Sequence, residues 1–74
     1  MKQVYTDKGS NLLYIRDDGK LFVQLKPSKR RMLDSLCTEM HCVFEQPNSV
    51  VYGDIIEITS TGVVLTDWRI EQCP

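Results

Sequence analysis

The sequence predicts a single α+β domain, 1–74, with a mainly antiparallel sheet of five to six strands and one helix. Three observations support this prediction. The chain has 74 residues, the length of one small domain. Short apolar runs are separated by turn residues, and in one stretch the apolar period changes from strand-like to helical. The expected order is β-ββ-α-β-ββ, which fits an open sheet or a sheet curled into a small barrel.

A β-hairpin is predicted for residues 11–26. The pair Asp18-Gly19 lies between two apolar-rich runs, and Asp-Gly favours the type I′ turn whose twist matches paired strands. With these two residues as the loop, Tyr14 would lie opposite Val23. Both faces of the hairpin carry large apolar groups, so both need a cover, either from the domain or from a partner.

A helix is predicted from Ser28 to about Met40. Apolar residues recur there at spacings of three and four, Pro27 precedes the segment, and Ser28 is the expected N-cap. The first turn is basic, which is the wrong sign for the positive end of a helix dipole. Either the helix begins later, nearer Asp34, or an anionic group meets these charges.

The remaining strands lie on either side of the helix. Lys2–Thr6 is expected to be a short first strand, and Cys42–Glu45 follows the helix. Val50–Thr59 and Val63–Ile70 predict a second hairpin rich in β-branched residues, with Gly62 as a candidate bulge.

Charge is sorted along the chain. Residues 1–31 carry eight Lys and Arg against three Asp, a balance of +5, whereas residues 32–74 carry one Arg against seven acids, a balance of −6. A surface of one sign attracts partners of the other sign. The sorting therefore predicts two interaction surfaces of opposite charge.

The first candidate surface is the basic patch, which consists of Lys26, Lys29, Arg30 and Arg31. The simplest interpretation is a solvated entrance to the helix, and as a binding surface we expect the patch to contact a protein. The alternative is a nucleic-acid-binding, barrel-like domain in which these side chains hold phosphates and Phe22 or Tyr14 stacks on bases. A nucleic-acid surface usually belongs to a basic domain, whereas the net charge here is −1.

The second candidate surface is acidic and aromatic. It combines Phe22 with Tyr52, Asp54, Glu57, Asp67, Trp68 and Glu71. Rings beside acids suit an interface with a basic partner, although a half-exposed sheet has the same composition. Trp68 is expected to pack in the core rather than to act as an interface anchor.

No motif predicts catalysis, a metal or a cofactor. Cys37 and His41 would share a helix face and could hold zinc with Cys42 and Cys73, but the paired short spacings of structural zinc sites are missing, so we expect packed thiols. His41 is also poorly placed to activate its neighbour Cys42. An odd number of cysteines, no secretory signal and no membrane-length apolar run predict a cytoplasmic protein with reduced thiols.

The sequence thus favours a small non-enzymatic protein-binding module that acts as a regulator, inhibitor or adaptor of a larger protein or complex. Short chains of this kind are common among the accessory proteins of bacteria, phages and plasmids. The two-sided apolar hairpin also predicts a homodimer that buries Leu13, Ile15 and Phe22. No membrane partner is expected.

Overall fold

A computed structural model describes residues 3–73 as one six-stranded, mostly antiparallel sheet with one helical segment. The elements are β1 (Val4–Lys8), β2 (Leu12–Ile15), β3 (Leu21–Gln24), a 3₁₀ helix (Pro27–Ser35), β4 (His41–Glu45), β5 (Ser49–Ile58) and β6 (Gly62–Gln72). The strand order is β1-β4-β5-β6-β3-β2, and only β1 and β4 pair in parallel. The predicted fold class is confirmed.

The sheet is open, so the barrel form of the prediction is wrong. β1 and β2 are its two ends and do not pair with each other. The chain that leaves β1 does not form a hairpin with it; the next strand, β2, lies at the opposite end of the sheet. The Gly9 N–H donates to the Glu45 carbonyl at 2.9 Å, and the Asn11 amide donates to Asp7 and to Gln46 at 3.1 Å each. These bonds hold Gly9 and Asn11, in the connection between β1 and β2, against the end of β4.

The first strand begins later and ends later than predicted. It spans Val4–Lys8, and Lys2 lies outside the described residues. The part of the chain that the structure describes contains no helix that is both long and apolar enough to cross a membrane.

The predicted hairpin is present as β2 and β3, but its register differs by one residue. The Arg16 N–H donates to the Lys20 carbonyl at 2.8 Å, so three residues form the loop rather than two. The loop ends on Gly19 at φ 83°, a conformation that glycine adopts at little cost. Three-residue loops of this kind combine a type I turn with a bulge. As a result Tyr14 lies opposite Phe22, one residue from its predicted partner.

The helical segment is shorter and tighter than predicted. Pro27–Ser35 is a 3₁₀ helix, and the chain is extended again at Leu36, where ψ is 155°. The N-cap is Lys26 rather than Ser28, and no side chain caps the first turn. Leu33 within the helix and Leu36 at its C-cap are both buried and anchor the segment to the core.

The second hairpin is confirmed as β5 and β6. Its register shifts lie between Tyr52 and Asp54, where β6 has the extra residue, and between Ile55 and Glu57, where β5 has it, so neither bulge is at Gly62. Gly62 instead has a packing role, since it lies directly against the backbone of β3.

One hydrophobic core lies between the helix and a single face of the sheet. Its buried members are Leu21, Val23, Leu25, Leu33, Leu36, Cys42, Phe44, Val51, Ile55, Val63 and Leu65. Phe44 is the largest fully buried side chain, and the Tyr5 ring packs edge-on against it at 6.0 Å. The opposite side of the sheet, here called the outer face, carries polar residues such as His41, Asp54 and Arg69 together with Val43, Tyr52 and the buried Val64.

Candidate interaction site

The two end strands of the sheet differ in their protection against further pairing. β1 carries Asp7 and Lys8, and the Lys29 ammonium donates to the Lys8 carbonyl at 2.8 Å. Charges and covering contacts of this kind prevent edge pairing. β2 consists of four uncharged residues, Leu-Leu-Tyr-Ile, and is here called the β2 edge. Val4 on β1 is exposed as well, so within the described chain the difference is that β2 has neither a charged residue nor a side chain bonded to its backbone.

Side chains of the β2 edge are exposed to an unusual degree for apolar residues. The exposed fractions are 57% for Leu12, 49% for Tyr14 and 68% for Ile15. Leu13 instead packs against the core, and the Tyr14 ring stacks on Phe22 with their centroids 6.1 Å apart. Exposed apolar groups on an unpaired strand make the β2 edge a candidate interaction surface.

The backbone of the β2 edge offers hydrogen bonds as well as apolar contact. Residues of an antiparallel strand direct their N–H and C=O groups alternately towards each neighbour. Because the pair Arg16 and Lys20 is hydrogen-bonded, Tyr14 also bonds to β3. Leu13 and Ile15 therefore direct their backbone groups to the open side.

A cavity of about 210 Å³ lies at the start of the β2 edge and is here called the β2 cavity. Its lining residues are Ser10, Asn11, Leu12, Gln24, Leu25, Lys26, Pro27 and Arg30. Leu12, Leu25 and Pro27 provide an apolar wall, and Lys26 and Arg30 contribute two positive charges. The sheet and the beginning of the helix meet here because β3 runs directly into Pro27.

The structure divides the predicted basic patch. The Lys29 ammonium donates to the two Asp7 carboxylate oxygens at 3.1 and 3.2 Å, in a pair whose side chains are only 27% and 10% exposed. Asp7 is thus the anionic group that meets the basic first turn of the helix. Lys29 serves the fold and is not free for a partner.

The other basic residues remain near the β2 cavity or at the surface. The Arg30 Nε–H donates to the Leu25 carbonyl at 3.1 Å, which fixes the guanidinium beside the cavity. Lys26 and Arg31 are exposed, and Lys26 also lines the cavity whereas Arg31 does not. Of the predicted patch, Lys26 and Arg30 are the two residues that the structure brings together with the β2 edge.

The predicted acidic and aromatic residues do not all share one surface, because Trp68 packs against the core whereas Phe22, Tyr52 and Glu71 lie on the outer face. Tyr52 and Asp54 lie on the outer face, where Asp54 Oδ1 is 2.9 Å from His41 Nδ1. The Arg69 guanidinium lies 4.1 Å from the centre of the Tyr52 ring and donates to Glu71 at 3.0 Å. Each of these groups already has a partner within the chain.

The rest of that set lies on three different strands. Trp68 packs against the core and donates its Nε1–H to the Gly19 carbonyl at 2.8 Å. Glu57 is exposed, 3.7 Å from Arg16, and Asp67 is exposed in a bulge at φ 50°. Phe22 is on a different strand, beside Tyr14.

The three thiols are free and differ in burial. Cys42 is buried in the core, whereas Cys37 and Cys73 are exposed. Within residues 3–73, no three His, Cys, Asp or Glu side chains are grouped so that they could hold a metal ion. Burial, with a smaller contribution from the charge of Asp54, raises the pKa of the Cys42 thiol to about 12. The thiol is therefore protonated near neutral pH and is a poor nucleophile.

Alkylation should distinguish these thiols. At pH 8, native protein treated with iodoacetamide is expected to gain two adducts, at Cys37 and Cys73, and unfolded protein is expected to gain three. Mass spectrometry of the intact chain and of its peptides reports the count and the positions. Rapid native labelling of Cys42 would contradict its burial and its raised pKa.

The sequence predicted that this hairpin needs a cover, by the domain or by a partner, but it did not predict an edge strand at β2 or the β2 cavity. The signal was present, since Leu12-Leu13-Tyr14-Ile15 is an uncharged apolar run that needs a cover on both sides. What was missing was the strand order, which makes this run the end of the sheet. Comparison with family models, with curated proteins and with solved structures finds no match to this chain, so its function has to be inferred from the site itself.

Proposed function

We propose that this protein is a non-enzymatic binding module that contacts another protein through the β2 edge and so regulates, inhibits or adapts it. The observation that supports this most directly is the contrast between the two ends of the sheet. β1 is charged and bonded to Lys29, whereas β2 is uncharged and its apolar side chains are exposed. Exposed edge strands bind proteins by accepting an additional strand.

Nucleic acid is the alternative partner, and the contacts favour it less. Lys29 is paired with Asp7, and the Arg30 Nε–H is bonded to Leu25. Tyr14 and Phe22 contact each other across the strand pair, with their ring centroids 6.1 Å apart. We expect no binding to generic single-stranded or duplex nucleic acid at about 50 mM salt, where counterion release makes such binding strongest. Binding under those conditions would support the alternative.

The proposal is tested by affinity capture with two matched variants. Ile15 and Ile56 are both exposed isoleucines on strands, at 68% and 43%, but only Ile15 is on the β2 edge. A lysine on an edge strand opposes pairing. Wild-type protein immobilised and exposed to an extract of its native source is expected to retain a protein partner, Ile15→Lys to lose it and Ile56→Lys to retain it.

Two outcomes of the capture would contradict the proposal. One is a partner that both variants retain, and the other is retention of nucleic acid instead of protein. Circular dichroism of both variants provides the control that each one is folded.

Two further expectations accompany this proposal. The free thiols Cys37 and Cys73 suit a reducing, cytoplasmic site of action. A homodimer that buries Leu13, Ile15 and Phe22 also stays a prediction, although Leu13 is already packed against the core of its own chain. Light scattering at tens of micromolar tests it, and a monomeric mass would remove it.

A further inference from the structure

We propose that the β2 edge accepts an extended acidic segment of the partner as an added strand, with one apolar side chain in the β2 cavity and a carboxylate at Lys26 and Arg30. This inference rests on the proposed function and specifies the chemistry of the partner.

The first step of the argument is the backbone. Leu13 and Ile15 each direct one N–H donor and one C=O acceptor to the open side of β2. An extended peptide satisfies these groups without any requirement on its own sequence. Backbone pairing therefore provides affinity, and specificity has to come from side chains.

The second step is the size and lining of the β2 cavity. Its volume of about 210 Å³ is smaller than the roughly 300 to 1,000 Å³ of typical small-molecule sites, so it suits a single side chain. Leu12 belongs both to the β2 edge and to the cavity wall. A strand added along β2 thus passes the cavity, and an apolar side chain of that strand can enter it against Leu25 and Pro27.

The third step is charge. Among the ion pairs within residues 3–73, none involves Lys26 or Arg30, although both line the cavity. The bond from Arg30 Nε–H to the Leu25 carbonyl holds the guanidinium in place before a ligand arrives. A preorganised guanidinium recognises a carboxylate well, because less side-chain freedom is lost on binding. An acidic residue next to the apolar anchor complements this pair of cations.

The test uses a display library of random 16-residue peptides, selected on the purified full chain. We expect the enriched peptides to combine one large apolar residue with neighbouring Asp or Glu. Synthetic versions of these peptides should bind more weakly as salt is raised. Amide hydrogen exchange at Leu13 and Ile15 should slow on binding, which side-chain docking alone would not cause.

Two charge variants at the beginning of the helix provide the matched comparison. Lys26 lines the β2 cavity and Arg31 does not, and both are exposed. We expect Lys26→Glu to weaken binding of the enriched peptide about tenfold and Arg31→Glu to change it by less than about twofold. Equal effects of the two variants would overturn the assignment of the carboxylate to the cavity.

The other outcomes separate this inference from the proposed function. Suppose that the enriched peptides are neutral or basic and that Ile15→Lys abolishes their binding. This result would overturn the proposal that the bound segment is acidic, while the β2 edge would remain the contact. A dimer that Ile15→Lys dissociates would show that a second copy occupies the edge, which also overturns the inference. A captured protein that is insensitive to Ile15→Lys would remove the proposed function itself.

Discussion

Replacing Gly62 with alanine is expected to remove most of the stability of the fold. A Cβ at this position would overlap the backbone carbonyl of Val23 on the paired strand β3. Backbone atoms cannot rotate out of the way as a side chain does, so β3 and β6 have to separate. We expect Gly62→Ala to lower the free energy of unfolding by at least about 3 kcal/mol, measured by urea denaturation followed by circular dichroism. A domain of this length has roughly 4 to 11 kcal/mol in total.

Gly19→Ala is the matched control for this substitution. Gly19 has φ 83°, but a Cβ there would meet nothing within 4 Å. Its cost comes from backbone conformation alone, about 1 to 2 kcal/mol. If the two variants lose equal free energy of unfolding, the close approach of β6 to β3 is not the reason that position 62 requires glycine.

Phe44→Ala is expected to have the second large effect. Phe44 is fully buried on β4 and contacts Tyr5 edge-on, with ring centroids 6.0 Å apart. Truncation of a buried phenylalanine removes apolar contacts and leaves a cavity, which together cost about 3 to 5 kcal/mol. The same urea titration measures the loss as a lower midpoint with an unchanged slope.

Phe22→Ala provides the comparison within the same chain. Phe22 is partly buried on the outer face, where it stacks on Tyr14 rather than packing in the core. Because less of its surface is removed from water, we expect a loss less than half of that for Phe44→Ala. A larger loss at Phe22 would contradict the assignment of the core to the other face of the sheet.

Local chemistry was enough to predict the hairpins but not their register. Asp18-Gly19 correctly indicated the turn between β2 and β3. The same dipeptide suits a two-residue loop and a three-residue loop with glycine at positive φ, and these differ by one position in pairing. The choice is fixed where β3 meets β6, with Val23 and Val63 side by side in the core. That contact joins residues far apart in sequence, and no local pattern reports it.

The helix and the β2 edge were also predicted only in part, because their details depend on residues that are distant in the sequence. The apolar spacing correctly indicated a helical segment, but the chain becomes extended at Leu36 and then returns to the sheet as β4, which begins at His41. The charge pattern indicated Lys26 and Arg30, but it also indicated Lys29, whose charge is paired with Asp7 on a strand 22 residues earlier. Edge position depends on the order of all the strands, so the β2 edge could not be predicted from residues 12–15 alone.

The strand order also has a consequence for how the chain reaches its native state. The meander β4-β5-β6 and the hairpin β2-β3 are local, whereas β3 pairs with β6 and β1 with β4 across long stretches of sequence. Closing long loops slows folding, so the pairing of the β2-β3 hairpin with the β4-β5-β6 meander is expected to be the slow step. During synthesis β3 emerges well before β6. The apolar hairpin is therefore left without its partner strand in the nascent chain, and the β2 edge is accessible before the domain is complete.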